Sequence, residues 1–170
     1  MLRTTIAVAI AAALAGTPAL ACETITSERV KLSSCIDEAT WAIQDPQGVQ
    51  EYLYYSTDNA VGFALITEVE TVALSAFRNA ILGNAVGAAI DANPENVVIV
   101  SERVETIAGR AWNVIEYEVN TPDQPIRFQN FYYVQPGFGS TQFVYWSEPD
   151  GATAAAYRAG RMLATVAFVD

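Results

Sequence analysis

The chain has 170 residues, nineteen of them acidic, nine basic and none histidine, for a net charge of −10. The missing histidine excludes Ser-His-Asp and Cys-His catalysis and every His-based zinc pattern. The acidic balance argues against nucleic acid and anionic lipid headgroups as partners.

Met1 to Thr5 carries one positive charge, at Arg3, and Ile6 to Ala15 is an apolar run. Gly16 and Pro18 break a helix there, and Ala19-Leu20-Ala21 is a small-x-small triplet. This is the layout of a cleaved secretory signal peptide over residues 1–21, and the run is too short for a permanent membrane span. Cleavage after Ala21 leaves residues 22–170, a length expected for one globular domain. The mature part keeps eight basic and all nineteen acidic residues, a net charge of −11. Its expected location is the periplasm or the exterior.

Cys22 and Cys35 are the two cysteines. An even count in an oxidising compartment predicts a disulfide between them. The alternative is a lipid anchor on Cys22. Such sites carry Leu three residues before the cysteine, where this chain has Ala19, and lipidation would leave Cys35 a free thiol.

Thr24 to Leu32 reads as a strand, Cys35 to Trp41 as a turn or short strand, and Asp45-Pro46-Gln47-Gly48 as a turn. Glu51 to Ser56 and Val61 to Ile66, rich in aromatic and branched residues around Thr57-Asp58-Asn59, predict a β-hairpin. Thr67-Glu68-Val69-Glu70 matches a capping box that would start a helix. Leu74, Phe77, Ile81, Ala85 and Ala88 give that helix an apolar face, and Asn93-Pro94 stops it. Its Gly83 and Gly87 predict close approach of the helix to a sheet.

A meander follows: Asn96 to Ile107, Ala111 to Val119, Ile126 to Val134 and Thr141 to Trp146. Asp150 is the expected N-cap of a last helix with Ala155, Ala159, Met162, Leu163 and Val166 on its apolar face, and Thr165 to Val169 can close as a short strand. The fold class is α+β: an antiparallel sheet, built from the N-terminal hairpin and a four-strand meander, with two main helices packed on it.

Few residues point to chemistry. Lys31, the one lysine, has no Gly-rich loop near it, and Gly137-Phe138-Gly139-Ser140 is a turn with its serine misplaced for a nucleophile elbow. No calcium loop is present, and no cofactor or metal site is expected. Glu116 and Glu118 lie about 7 Å apart on one face of a strand, and paired acids can hydrolyse glycosides. If Val119 faces Ile126, however, Glu118 faces Arg127, and a cross-strand ion pair accounts for them. Adjacent aromatics such as Tyr132-Tyr133 and Tyr145-Trp146 point to opposite sheet faces, so some must leave the main core to lie under a helix or line a groove. The candidate ligand or partner surface is therefore Trp112, Tyr117, Tyr132, Tyr133, Tyr145 and Trp146 with Glu116, Glu118 and Arg127.

The order of elements resembles the PsbP-like superfold, shared by the photosystem II PsbP subunit, Mog-type Ran-GTP-release factors and bacterial DcrB-like envelope proteins. The likeness rests on three stretches: Val104 to Trp112, with its Ala108-Gly109 turn; Val114-Ile115-Glu116-Tyr117-Glu118; and Met162 to Phe168. The cysteine pair departs from that pattern. A cystatin-like fold is the alternative, against which the early hairpin and the closing helix argue. The resemblance implies a non-enzymatic accessory or protein-interaction domain with an envelope protein as partner, and carries no functional residues over. A small-ligand or sugar-binding module using the strand aromatics is the second reading, and a hydrolase working through Glu116 and Glu118 the third.

Overall fold

The computed structural model describes residues 22–169, so the expected signal peptide lies outside the described residues. Ten strands and two helices follow in order: β1 (Glu23–Ser27), β2 (Leu32–Ile36), β3 (Trp41–Gln44), β4 (Gln50–Ser56), β5 (Val61–Glu68), α1 (Leu74–Ala88), β6 (Val97–Ile107), β7 (Arg110–Asn120), β8 (Pro125–Gln135), β9 (Gly139–Ser147), α2 (Ala152–Leu163) and β10 (Ala167–Phe168). They form a seven-stranded antiparallel sheet in the order β3-β4-β5-β9-β8-β7-β6 and a three-stranded sheet in the order β1-β2-β10. The class is α+β. No helix of the described residues is long and apolar enough to cross a membrane.

Strand alternation sets the two faces of the large sheet. One face presents Tyr54, Phe63, Trp112, Phe131, Phe143 and Tyr145 to the main core, closed by Ile25, Leu32 and Ile36 of the small sheet and by Ala155, Ala159, Met162 and Leu163 of α2. These α2 positions, with Val166, are the ones its periodicity predicts. The opposite face puts Ile115, Tyr117, Val119 and Tyr132 against Ile81 and Ala85 of α1. The α1 helix covers only part of that face. Leu53, Ala64 and Val144 form a separate cluster farther across, flanked by half-buried Ile66, Phe128 and Trp146.

The hairpin and the meander form as the patterns predict, and β5 joins them by pairing with β9. Asp58 organises the hairpin turn: Ser56 Oγ and the Ala60 amide both donate to its Oδ1, at 2.5 and 3.1 Å. Arg158 of α2 then donates to both Asp58 carboxylate oxygens, at 2.9 and 2.5 Å, tying the helix to the turn.

Four local expectations are corrected. The Thr24 to Leu32 stretch is broken by a turn at Glu28 to Lys31 into β1 and β2, with Lys31 at φ 48°. The α1 helix starts at Leu74, after an Ala73 N-cap, and not at Thr67. Residues 67 and 68 belong to β5: Thr67 pairs with Thr141, its hydroxyl donates to Glu51, and Ser140 Oγ donates to the Glu70 carbonyl at 2.8 Å. Pairing to β9 thus outweighs the local capping signal. Gly83 and Gly87 have no described residue within 4 Å of an added Cβ, because α1 turns Ile81 and Ala85 to the sheet instead. Asp150 makes no capping hydrogen bond; it lies in a short 3-10 turn, Pro149–Gly151, and Gly151 is the α2 N-cap.

Cys22 and Cys35 are joined by a disulfide with Cα atoms 5.5 Å apart. A thioether-linked lipid on Cys22 and this bond exclude one another.

Candidate functional site

The aromatic residues of interest separate by strand parity. Trp112 and Tyr145 are fully buried in the main core, where Tyr133 stacks on Trp112 at 5.2 Å. Burial drives the Tyr145 phenol well above its ordinary range, and among the described residues its hydroxyl finds only the Met162 sulfur, 3.6 Å away. Tyr117 and Tyr132 lie beneath α1, with Phe77 edge-on to Tyr132 at 5.6 Å. Burial pushes the Tyr117 phenol up to about 12, against an opposing hydrogen bond in which buried Asn130 Nδ2 donates to it at 3.0 Å. Gln142 in turn donates to Asn130 Oδ1, so the polar groups under α1 satisfy one another. These five aromatics are packing residues. Trp146 is half-buried and borders an opening.

Glu116, Glu118 and Arg127 come together as the register predicts, with Glu118 opposite Arg127. They lie on the α2 side of the sheet. Arg127 Nε and Nη2 donate to Glu116 Oε1 at 3.0 and 2.9 Å, and Nη1 donates to Glu118 Oε1 at 2.5 Å. Burial pulls the Arg127 guanidinium down, but its hydrogen bonds to Glu118 and Glu116 outweigh that and raise it above an ordinary arginine. Ser101 Oγ donates to Glu116 Oε2 at 3.1 Å, and Arg103 Nε donates to Glu105 at 2.6 Å. Charges of alternating sign thus run across β6, β7 and β8. Each carboxylate of the pair accepts from a guanidinium, an arrangement that fixes strand register. Among the described residues, no group of three or more His, Cys, Asp or Glu is placed to hold a metal ion.

The open half of the α1 face holds an arrangement that periodicity alone does not reveal. Tyr55, Gly62, Trp146, Phe128, Tyr117 and Ile99 are successive partners across β4, β5, β9, β8, β7 and β6, one continuous rung of the sheet. A Cβ added to Gly62 would lie 2.0, 2.2 and 2.4 Å from indole atoms Cε2, Cζ2 and Nε1 of Trp146. Such similar distances to three adjacent ring atoms place the indole face-on across the glycine. Tyr55 meets the indole at 5.7 Å and 88°, Phe128 flanks it at 6.4 Å, and Tyr117 stacks on Phe128 at 5.3 Å. The signal in the sequence is a glycine amid branched and aromatic strand residues, which marks close approach of another group to the backbone.

Trp146 borders a cleft of about 550 Å³ at the end of the sheet, together with Tyr55, Asn59, Gln124, Ile126 and Glu148. A smaller hollow of about 240 Å³ lies on the other side, between the disulfide, Trp41 and Met162, under Arg158 and Arg161.

No protein-family model and no curated protein matches the chain in sequence. Solved structures do match in fold. Cyanobacterial PsbP (CyanoP) from Synechocystis sp. PCC 6803 superimposes with a TM-score of 0.62 over 92% of this chain and 98% of that one, at 9% identity. A protein from Bacteroides thetaiotaomicron VPI-5482 gives 0.52 over 86% of this chain and 48% of its own, at 12% identity. PA94 from Pseudomonas aeruginosa, a protein of unknown function, gives 0.51 over 85% and 94%, at 8% identity. The fold of this chain is PsbP-like.

Proposed function

We propose that the chain is exported, cleaved after Ala21, and acts in the envelope as a non-enzymatic accessory domain that binds another protein. The observation that carries this reading is the outer edge of the large sheet. β6 is an eleven-residue edge strand, and no other described strand pairs with its outer side. It exposes Val98 at 52%, Ile99 at 42%, Val100 at 44% and Val104 at 63%. Long apolar edges are normally covered, because their free N–H and C=O groups template further pairing. A bulge between Ile99 and Ser101 bends the strand within this stretch.

The partner that fits is an extended apolar segment of an envelope protein, added to β6 as a further strand. Basic residues flanking that segment would complement a mature domain of net charge −11. The Cys22–Cys35 disulfide supports an oxidising compartment. The PsbP-like fold agrees with an accessory role and by itself fixes no partner.

The test is a photo-crosslinking residue placed at Val104 or Val98 in the full chain, in its own envelope. The expected result is one discrete adduct, and a mature N-terminus at Cys22. The adduct should disappear in a Val98→Lys, Val100→Lys variant that melts like the wild type. A chain that stays monomeric without adduct, or links only to itself, would overturn the reading.

A further inference from the structure

The cleft beside Trp146 goes beyond a protein-docking edge. We infer that it is a binding site for a neutral pyranoside, with the outer face of the Trp146 indole as its stacking platform.

The platform is held from below and from both sides. Gly62 lets one face of the indole rest on the β5 backbone, while Tyr55 and Phe128 flank it across the sheet at 5.7 and 6.4 Å. The opposite face is turned away from the β5 backbone, and Trp146 stays half-buried where it borders the cleft. An indole presented this way offers its negative π-face to positively polarised C–H groups, such as those on the apolar side of a sugar ring. A strand glycine forgoes packing and conformational entropy, and here that loss is coupled to the position of one ring.

The rest of the cleft supplies hydroxyl partners. Asn59, Gln124 and Glu148 border it, and their side chains make no hydrogen bond among the described residues. Amides donate and accept, and a carboxylate accepts, which suits hydroxyls that do both. Asp58, also at the rim, is already engaged by Ser56, Ala60 and Arg158. It therefore braces the wall. The volume of about 550 Å³ falls within the range of small-molecule sites, about 300–1,000 Å³. The nearby carboxylates and the net charge of −11 disfavour an anionic sugar.

Intrinsic fluorescence can report the site, because Trp41 and Trp112 are only 5% and 0% exposed and Trp146 is the tryptophan at the opening. The mature, disulfide-bonded protein is titrated with maltotriose, cellotriose and N-acetylated chitotriose, with trigalacturonate as the anionic counterpart and a proline-rich peptide as the competing ligand class. The expected result is a saturable change with at least one neutral sugar below about 10 mM, weakened about tenfold or more by Trp146→Ala. Ligand-observed NMR reads the loss in that variant. Asn59→Ala, Gln124→Ala, which leaves the aromatic rung in place, should weaken binding several-fold with an unchanged thermal melt. Absence of saturation with all three neutral sugars would overturn the inference. Equal affinity in both variants, preference for trigalacturonate, or a response to the peptide alone would do the same. None of these outcomes bears on the adduct formed at β6.

Discussion

Gly62 and Trp146 face one another across β5 and β9, and the indole occupies the space a side chain on Gly62 would need. Gly62→Ala should therefore displace the ring rather than merely stiffen the strand. The expected cost is about 1–3 kcal/mol, the range for forcing extra atoms into a packed position. Urea unfolding gives the loss, and a red-shifted emission should show Trp146 moving into water.

The disulfide closes a loop between positions thirteen apart at the N-terminal edge of the small sheet. Replacing both cysteines by serine should lower stability by about 3 kcal/mol in the chain-entropy account. The effect should be largest in β1 and β2. Hydrogen exchange of their amides, beside those of β7 and β8, distinguishes local opening from a global loss.

Burial raises the phenols of Tyr54 and Tyr117 to about 12, and drives that of Tyr145 well above its ordinary range. A phenol with a folded pKa above its unfolded value of about 10 binds more protons in the native state above that pH. Its stabilising contribution is complete below about pH 10 and is lost as pH climbs toward the folded value. The chain should thus unfold in alkali. An ultraviolet phenolate titration should show these three tyrosines silent until a cooperative step that coincides with loss of the far-UV signal.

Asp58 behaves oppositely. Hydrogen bonds from Arg158, then Ser56 and the Ala60 amide, hold its carboxyl well below the usual carboxylate range. Stability from a depressed carboxyl is present above the unfolded value of about 3.9 and is lost as pH falls through the folded one. Arg158→Ala should flatten the dependence of the melting temperature on pH below about 4, and leave its dependence near neutrality nearly unchanged. The pair is exposed, so the effect should shrink as salt is raised.

Much of this architecture is legible in the sequence because most of it is local. The hairpin and the meander pair neighbours, and the alternation that places Val119 opposite Ile126 also brings Glu118 to Arg127. The three-stranded sheet is not legible. β2 pairs with β10, a two-residue strand more than a hundred residues away, through Ser33 and Ala167 and through Leu32 and Phe168. Residues that short carry no period of their own. The start of α1 is misread for a related reason. Thr67 to Glu70 satisfies a local cap, yet its partners on β9 are supplied by the fold. For the candidate site, the nine residues expected on one surface divide among the main core, the space under α1, the charge row near α2 and the open face. Trp146 is visible in the sequence as an aromatic, but its support by Gly62 depends on the pairing of β5 with β9, which alternation does not specify.

The small sheet gathers the two ends of the described chain. β1 begins one residue after Cys22, β10 ends at Phe168, and both lie against β2 on the side of the large sheet that α2 also covers. A surface or fusion partner attached at either end would therefore meet the same side of the domain. Tethered through residues added ahead of Cys22 or after β10, with the disulfide kept intact, the protein would turn the Trp146 face outward in either case.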